Sequence, residues 1–226
     1  LESLGFYKFL GFTELEIGDV WSHKYAVLTD GVLCIGLHDE HFEGPSITFV
    51  QQELAKHVSS MTDHGFHFHV VQLDEDAFNE LGLDDRDGHR VTMLEARTFT
   101  GGDEYDNDSA CGTWFELSLP VRDAVHAARF WASVAPVMLE FRDEPTTHMR
   151  FDAGGAAVGL SESIALEGPS LCFRCHDREA LFSLIERHGL EHKKFPGYEG
   201  AFVSITAPEG TTLFAFDQDF LGEAYE

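Results

Sequence analysis

A shift of 124 residues lays one half of this chain over the other. EGPSITFV, beginning at Glu43, returns as EGPSLCFR at Glu167, and the same shift pairs Phe49 with Phe173, His64 with His188 and Phe6 with Phe130. Upstream, GVLCIGLH from Gly31 matches GAAVGLSE from Gly155 after a slide of one residue, so Gly36 and Leu37 fall on Gly159 and Leu160. DGHRVTMLE from Asp87 sits opposite EGTTLFAFD from Glu209. Self-similarity at separated places means that whatever the chain folds into is built twice. The halves run over about 1–100 and 113–226, joined by the acidic stretch 101–112.

Each half has a mixed pattern. FELSLPV (115–121) alternates like a half-buried strand, and Asp123 then caps a helix over AVHAARFWASV with Val125, Ala128 and Ala132 on one face. PVMLEFRD, THMRFDA and AAVGL read as strands. The unit then repeats: SLCFRC as a strand, Asp177 as a cap, REALFSLIERHG as a helix with Leu181, Leu184 and Ile185 inward, and FVSITAP and TTLFAFD as strands. The fold class is therefore α+β, in four βαβββ modules forming two tandem domains. The first half starts at its helix. Its opening strand is expected upstream of Leu1, or its slot is filled by another segment, since an open sheet edge is a liability.

The charge balance limits the partners. Forty acidic against fifteen basic residues give a net charge of −25, which repels phosphate backbones and anionic headgroups. Nucleic acid and membrane surfaces are therefore not expected partners. No apolar run is long enough to span a bilayer, and the first residues carry no export signal. Four cysteines, mostly far apart and with no dense framework, fit the reduced thiols of a cytoplasmic protein.

FYKFLGF (6–12), DGVLCIGL (30–37), PSITFV (45–50) ahead of a helix ending in His-Gly, and DDRDGHRVTML (84–94) carry a resemblance. In this order and spacing the chain resembles the vicinal oxygen chelate superfamily, which holds glyoxalase I, bleomycin-resistance proteins and type I extradiol dioxygenases. The resemblance implies paired modules curled into a partly open barrel around a cavity. In metal-using members a divalent ion there chelates adjacent substrate oxygens.

Carried over position by position, the family's ligand sites are mostly empty of ligands. The fifth-strand histidine falls on Ser46 and Ser170, the fourth-strand acid on Gly36 and Gly159, and the eighth-strand glutamate on Thr92 and Phe214. Only Glu116, at the first strand of the second half, is a good divalent ligand, and a catalytic ion needs about three. No cofactor is expected. The alternative is a divalent metal (iron, manganese, nickel or zinc) at a relocated site. His67 and His69 share one face of a strand, with Phe66 and Phe68 on the other, and Glu116 or His89 would complete it. HDEHFE (38–43) has the spacing of a loop metal site but reads as a solvated turn. Cys172-Phe173-Arg174-Cys175-His176 spells the c-type haem signature, yet residues three apart on a strand face opposite ways, so no haem is expected.

The candidate ligand-binding residues are Glu116, Ser46, Thr92, Ser170, Phe214, His67 and His69. The first reading is metal-independent binding of a small aromatic or cationic molecule in a cavity between modules. The second is a metal-dependent lyase or ring-cleaving dioxygenase, and the third a non-catalytic interaction protein. Four modules in one chain supply both cavities, so a monomer suffices and a homodimer is not required.

Overall fold

The computed structural model describes residues 2–16, 23–40, 44–63, 65–74, 79–95, 109–135, 137–144, 146–153, 157–198 and 200–220. The acidic linker expected over 101–112 lies outside them up to residue 108. The elements follow the repeat. The first module has α1 (Glu2–Phe9), β1 (Thr13–Glu14), β2 (Tyr25–Thr29) and β3 (Cys34–His38). The second has β4 (Ser46–Gln51), α2 (Leu54–Asp63), β5 (Phe68–Gln72), β6 (Glu80–Asp84) and β7 (Arg90–Glu95). The third has β8 (Thr113–Pro120), α3 (Ala124–Val134), β9 (Val137–Arg142), β10 (His148–Asp152) and β11 (Ala157–Ser161). The fourth has β12 (Ser170–Cys175), α4 (Arg178–His188), β13 (His192–Lys193), β14 (Phe202–Thr206) and β15 (Thr212–Asp217).

Within a module the opening strand runs parallel to the closing one, and the strands between are antiparallel. In the second half, β12 joins β8 antiparallel, fusing two modules into one eight-stranded sheet of order β13-β14-β15-β12-β8-β11-β10-β9. The first half carries two separate sheets, β1-β2-β3 and β4-β7-β6-β5. Among the described residues β3 and β4 are edge strands, whereas their counterparts β11 and β12 both pair with β8.

The helices start where capping chemistry dictates. Asp123 accepts a hydrogen bond from the His126 backbone N–H at 2.8 Å, and Asp177 from that of Ala180 at 2.9 Å. Gly189 closes α4 in the left-handed conformation, with φ of 61°. Leu181 and Ile185 are buried as expected, and Leu184 is partly so. The inward face of α3 differs from the sequence reading: Ala124, Ala127 and Trp131 are buried, whereas Val125 is exposed. The reason is Trp131, whose indole Nε1 donates to Asp85 Oδ2 at 3.0 Å across the two halves and fixes the helix rotation. Asp85 is itself held by the backbone N–H groups of Asp87 and His89.

Neither half owns a core. One cluster joins Phe6, Tyr7, Leu10 and Leu28 of the first module to Phe173, Leu181, Ile185 and Ile205 of the fourth. The other joins Leu54, Leu81, Val91 and Met93 of the second to Trp131, Phe151 and Leu160 of the third. Tyr7 Oη donates to Glu209 Oε1 at 2.6 Å and ties the first pair together. Because burial spans the halves, the chain is expected to unfold in one cooperative transition. Trp131→Phe, which leaves Asp85 short of a donor, should lower stability by about 1–3 kcal/mol. Denaturant unfolding followed by both circular dichroism and tryptophan fluorescence checks this through coincident midpoints.

Candidate functional site

One face of the eight-stranded sheet centres on a buried carboxylate. Glu116 on β8 is 2% exposed. Its Oε2 lies 2.8 Å from Arg150 Nε, and 3.2 Å from His148 Nε2, which donates to it. The Ser118 hydroxyl donates to Oε1. Arg150 and His148 are two apart on β10, so they share a face, while Met149 and Phe151 point to the core. The Arg150 guanidinium is spread further: Nη1 sits 3.5 Å from Glu140 Oε2, and Nη2 donates to the Phe115 carbonyl at 3.3 Å.

A bulge brings Phe115 and Glu116 to the same side. Cys172 pairs with Glu116 and Phe173 with Trp114, leaving Phe115 unpaired. The Phe115 ring therefore lies 5.8 Å from the Arg150 guanidinium, which Glu116 also reaches. Burial alone would push the Glu116 carboxyl pKa up. The hydrogen bond and charge of His148, the Ser118 hydroxyl and the Arg150 charge outweigh it, and the carboxyl is held below the usual range. Gly159 makes room for the cluster: a Cβ there would stand 2.3 Å from Glu116 Oε1 and 2.8 Å from His148 Cε1.

Beside the cluster lies a layer of phenylalanines. Phe214 stacks with Phe216 at 6.0 Å, and Phe202 approaches both at 5.9 and 5.2 Å. Phe195 and Phe220 extend the layer to either side. Phe115 joins it through Phe216 at 6.0 Å. Phe214 is buried, Phe195, Phe202 and Phe216 are half-buried, and Phe220 and Tyr198 are exposed at the rim.

The residues singled out from sequence are distributed as follows. Glu116 and Phe214 lie on this face, with Cys172 between them in register on β12. The Cys172 thiol reaches the Ser118 hydroxyl at 3.4 Å, and burial pushes its pKa up. Ser170 is buried opposite Ser118, and its hydroxyl donates to the Gly168 carbonyl at 2.9 Å. In the first half the Ser46 and Thr92 hydroxyls meet at 2.6 Å in an exposed setting. His67 and His69 are exposed, while Phe66 and Phe68 pack inward. His69 lies 3.8 Å from Asp84. His89 is fixed structurally, its Nε2 donating to the Pro120 carbonyl at 2.7 Å. The relocated set of His67, His69 and Glu116 is not assembled: among the described residues no group of three or more His, Cys, Asp or Glu is placed to hold an ion. Cys175 is packed in the hydrophobic cluster with Phe173 while Cys172 faces Ser118, so the haem signature is split across the sheet.

Sequence reasoning missed His148, Arg150 and Cys172. A signal existed for the first two, since THMRFD places polar residues on alternate positions of a strand inside an apolar chain.

No family model and no curated protein sequence matches the chain. Solved structures do. Catechol 2,3-dioxygenase is 13% identical, aligned over 96% of this chain and 83% of that one, with a TM-score of 0.64. The 2,2',3-trihydroxybiphenyl 1,2-dioxygenase of Sphingomonas wittichii RW1 is 13% identical over 96% and 84%, with a TM-score of 0.59. The 2,3-dioxygenase LapB of Pseudomonas sp. KL28 is 12% identical over 96% and 87%, also with a TM-score of 0.59. The chain has the vicinal oxygen chelate fold.

In metal-using members of the superfamily that the sequence resembles, these positions would hold a divalent ion, and the residues present do not suit one. Phe214 has no donor atom, Ser170 is turned to a carbonyl, and both Glu116 oxygens are engaged. A guanidinium already sits against Oε2, where it would repel a second cation.

Two outcomes test this geometry. Gly159→Ala should destabilise the fold by about 1–3 kcal/mol through overpacking against Glu116, measured by urea denaturation. A depressed carboxyl contributes stability above its unfolded pKa of about 4.3 and loses it as pH falls through the folded value. The melting-temperature gap between wild type and Glu116→Gln should therefore be widest at pH 6 and shrink by pH 3.

Proposed function

We propose that this chain binds a small aromatic molecule without a metal, on the Glu116 face of the sheet in its second half, in the manner of a glyoxalase/bleomycin-resistance-like binding protein. One observation carries the reading: the family's ligand positions hold a carboxylate neutralised by Arg150 and a phenylalanine, next to a half-buried aromatic layer. Flat rings stack on such a surface, each well-placed pair adding about 0.5–1.5 kcal/mol beyond area burial. Arg150 already meets the charge of Glu116, so an aromatic ligand suits the site better than a cationic one.

A metal-dependent dioxygenase is the second reading, favoured by the names of the structural neighbours, but a fold hosts many activities. Calorimetric titration of chelator-treated, untagged protein with 2-naphthol and catechol separates the two. Saturable binding, insensitive to chelator and weakened about tenfold (some 1.4 kcal/mol) by Phe202→Ala, supports the proposal. No saturable binding overturns it. So does ring-opening of catechol by the iron(II)-loaded protein that Glu116→Gln abolishes.

A further inference from the structure

Two histidines remote in sequence meet at the open end of the β2–β3 hairpin. His38 closes β3 and pairs in register with Tyr25, and His23 lies just ahead of β2. His23 Nε2 stands 2.8 Å from His38 Nδ1. On its other side, His23 Nδ1 is 2.9 Å from Glu40 Oε2. Packing fixes the His38 ring: it stacks on Tyr25 at 5.8 Å and 17°, and its Nε2 lies 3.5 Å from where a Cβ of Gly36 would be.

The chemistry of the partners settles the proton positions for neutral rings. A carboxylate only accepts, so His23 donates from Nδ1 to Glu40 and keeps the Nε2 lone pair; His38 then donates from Nδ1 to that lone pair. A carboxylate on the far nitrogen is the arrangement that orients and strengthens an imidazole as a metal ligand.

We propose that His23 and His38 form a chelating pair for a divalent late transition-metal ion of the nickel(II) or copper(II) class, with Glu40 as the orienting carboxylate. On binding, the His38 proton moves from Nδ1 to Nε2 and the two rings turn until both lone pairs converge on the ion, which leaves the charge of the pair unchanged. Two nitrogens kept near this spacing of 2.8 Å favour the class. At metal–nitrogen distances of about 2.0–2.1 Å, nitrogens so spaced subtend roughly 85–90° at the ion. That is the cis angle of tetragonal coordination, which suits nickel(II) and copper(II). A tetrahedral zinc ion would need the pair to open by about half an ångström. Water completes the shell, and the net charge of −25 concentrates cations around the protein. The pair belongs to the first module and shares no residue with the Glu116 cluster, so it does not rest on the binding reading above.

The test is calorimetric titration of untagged, chelator-stripped protein with nickel(II) chloride. One site per chain is expected, with His23→Ala and His38→Ala each weakening it more than tenfold and Glu40→Gln by about tenfold. A His67→Ala/His69→Ala double variant should bind as wild type does. Copper(II) paramagnetic resonance should show coupling to two nitrogens in wild type and to fewer in His38→Ala, a signature that a purely structural role would not move. Unchanged nickel affinity in both single variants, no binding by wild type, or loss confined to the His67/His69 variant overturns the proposal. Unchanged circular dichroism of the single variants keeps misfolding apart from ligand loss.

Discussion

A carboxylate taken almost wholly out of water at Glu116 sets the terms for the second half. An ion so placed persists only when paired and hydrogen-bonded, and removing one partner of such a pair typically costs about 3–5 kcal/mol. The fold answers with three groups from two strands, Arg150, His148 and Ser118. Each answer constrains something else. Arg150 and His148 require β10 to keep their register, the bulge at Phe115 aims β8 at them, and residue 159 must stay glycine. Replacing the whole cluster by fitted apolar side chains need not cost stability, so its retention is best read as fixing one arrangement of strands.

The same economy governs the packing of the modules. Each module has one apolar helix side, and the helix sides pack together between the halves. First pairs with fourth and second with third, so the sheet face that carries Glu116 is left outside both clusters.

Much of this architecture was readable in the residues. A repeat of 124, alternation along FELSLPV and the caps at Asp123 and Asp177 lead to the module order without any coordinates. Ser46, Glu116, Ser170, Thr92 and Phe214 likewise occupy equivalent places on their strands, because strand periodicity transfers faithfully between repeats. What could not be read depends on non-local partners. The rotation of α3 is decided by Asp85 of the other half, which no local pattern reveals. Arg150 looks like a surface residue until β10 is known to lie two strands from Glu116. The meeting of His23 with His38 rests on a hairpin whose ends are fifteen residues apart.

Comparison of the halves shows how one template diverges. Gly36 and Gly159 are equivalent in the repeat, and each leaves a space above its strand. Over Gly159 that space holds the Glu116 carboxylate with His148, a closed cluster whose charge is spent inside the protein. Over Gly36 it holds the His38 ring, belonging to a histidine pair oriented by an exposed carboxylate. A cation supplied by the chain satisfies the first, and a carboxylate meets the second. A duplicated glycine thus makes room for different things: on one side a carboxylate met by an internal guanidinium, and on the other the His38 ring beside His23.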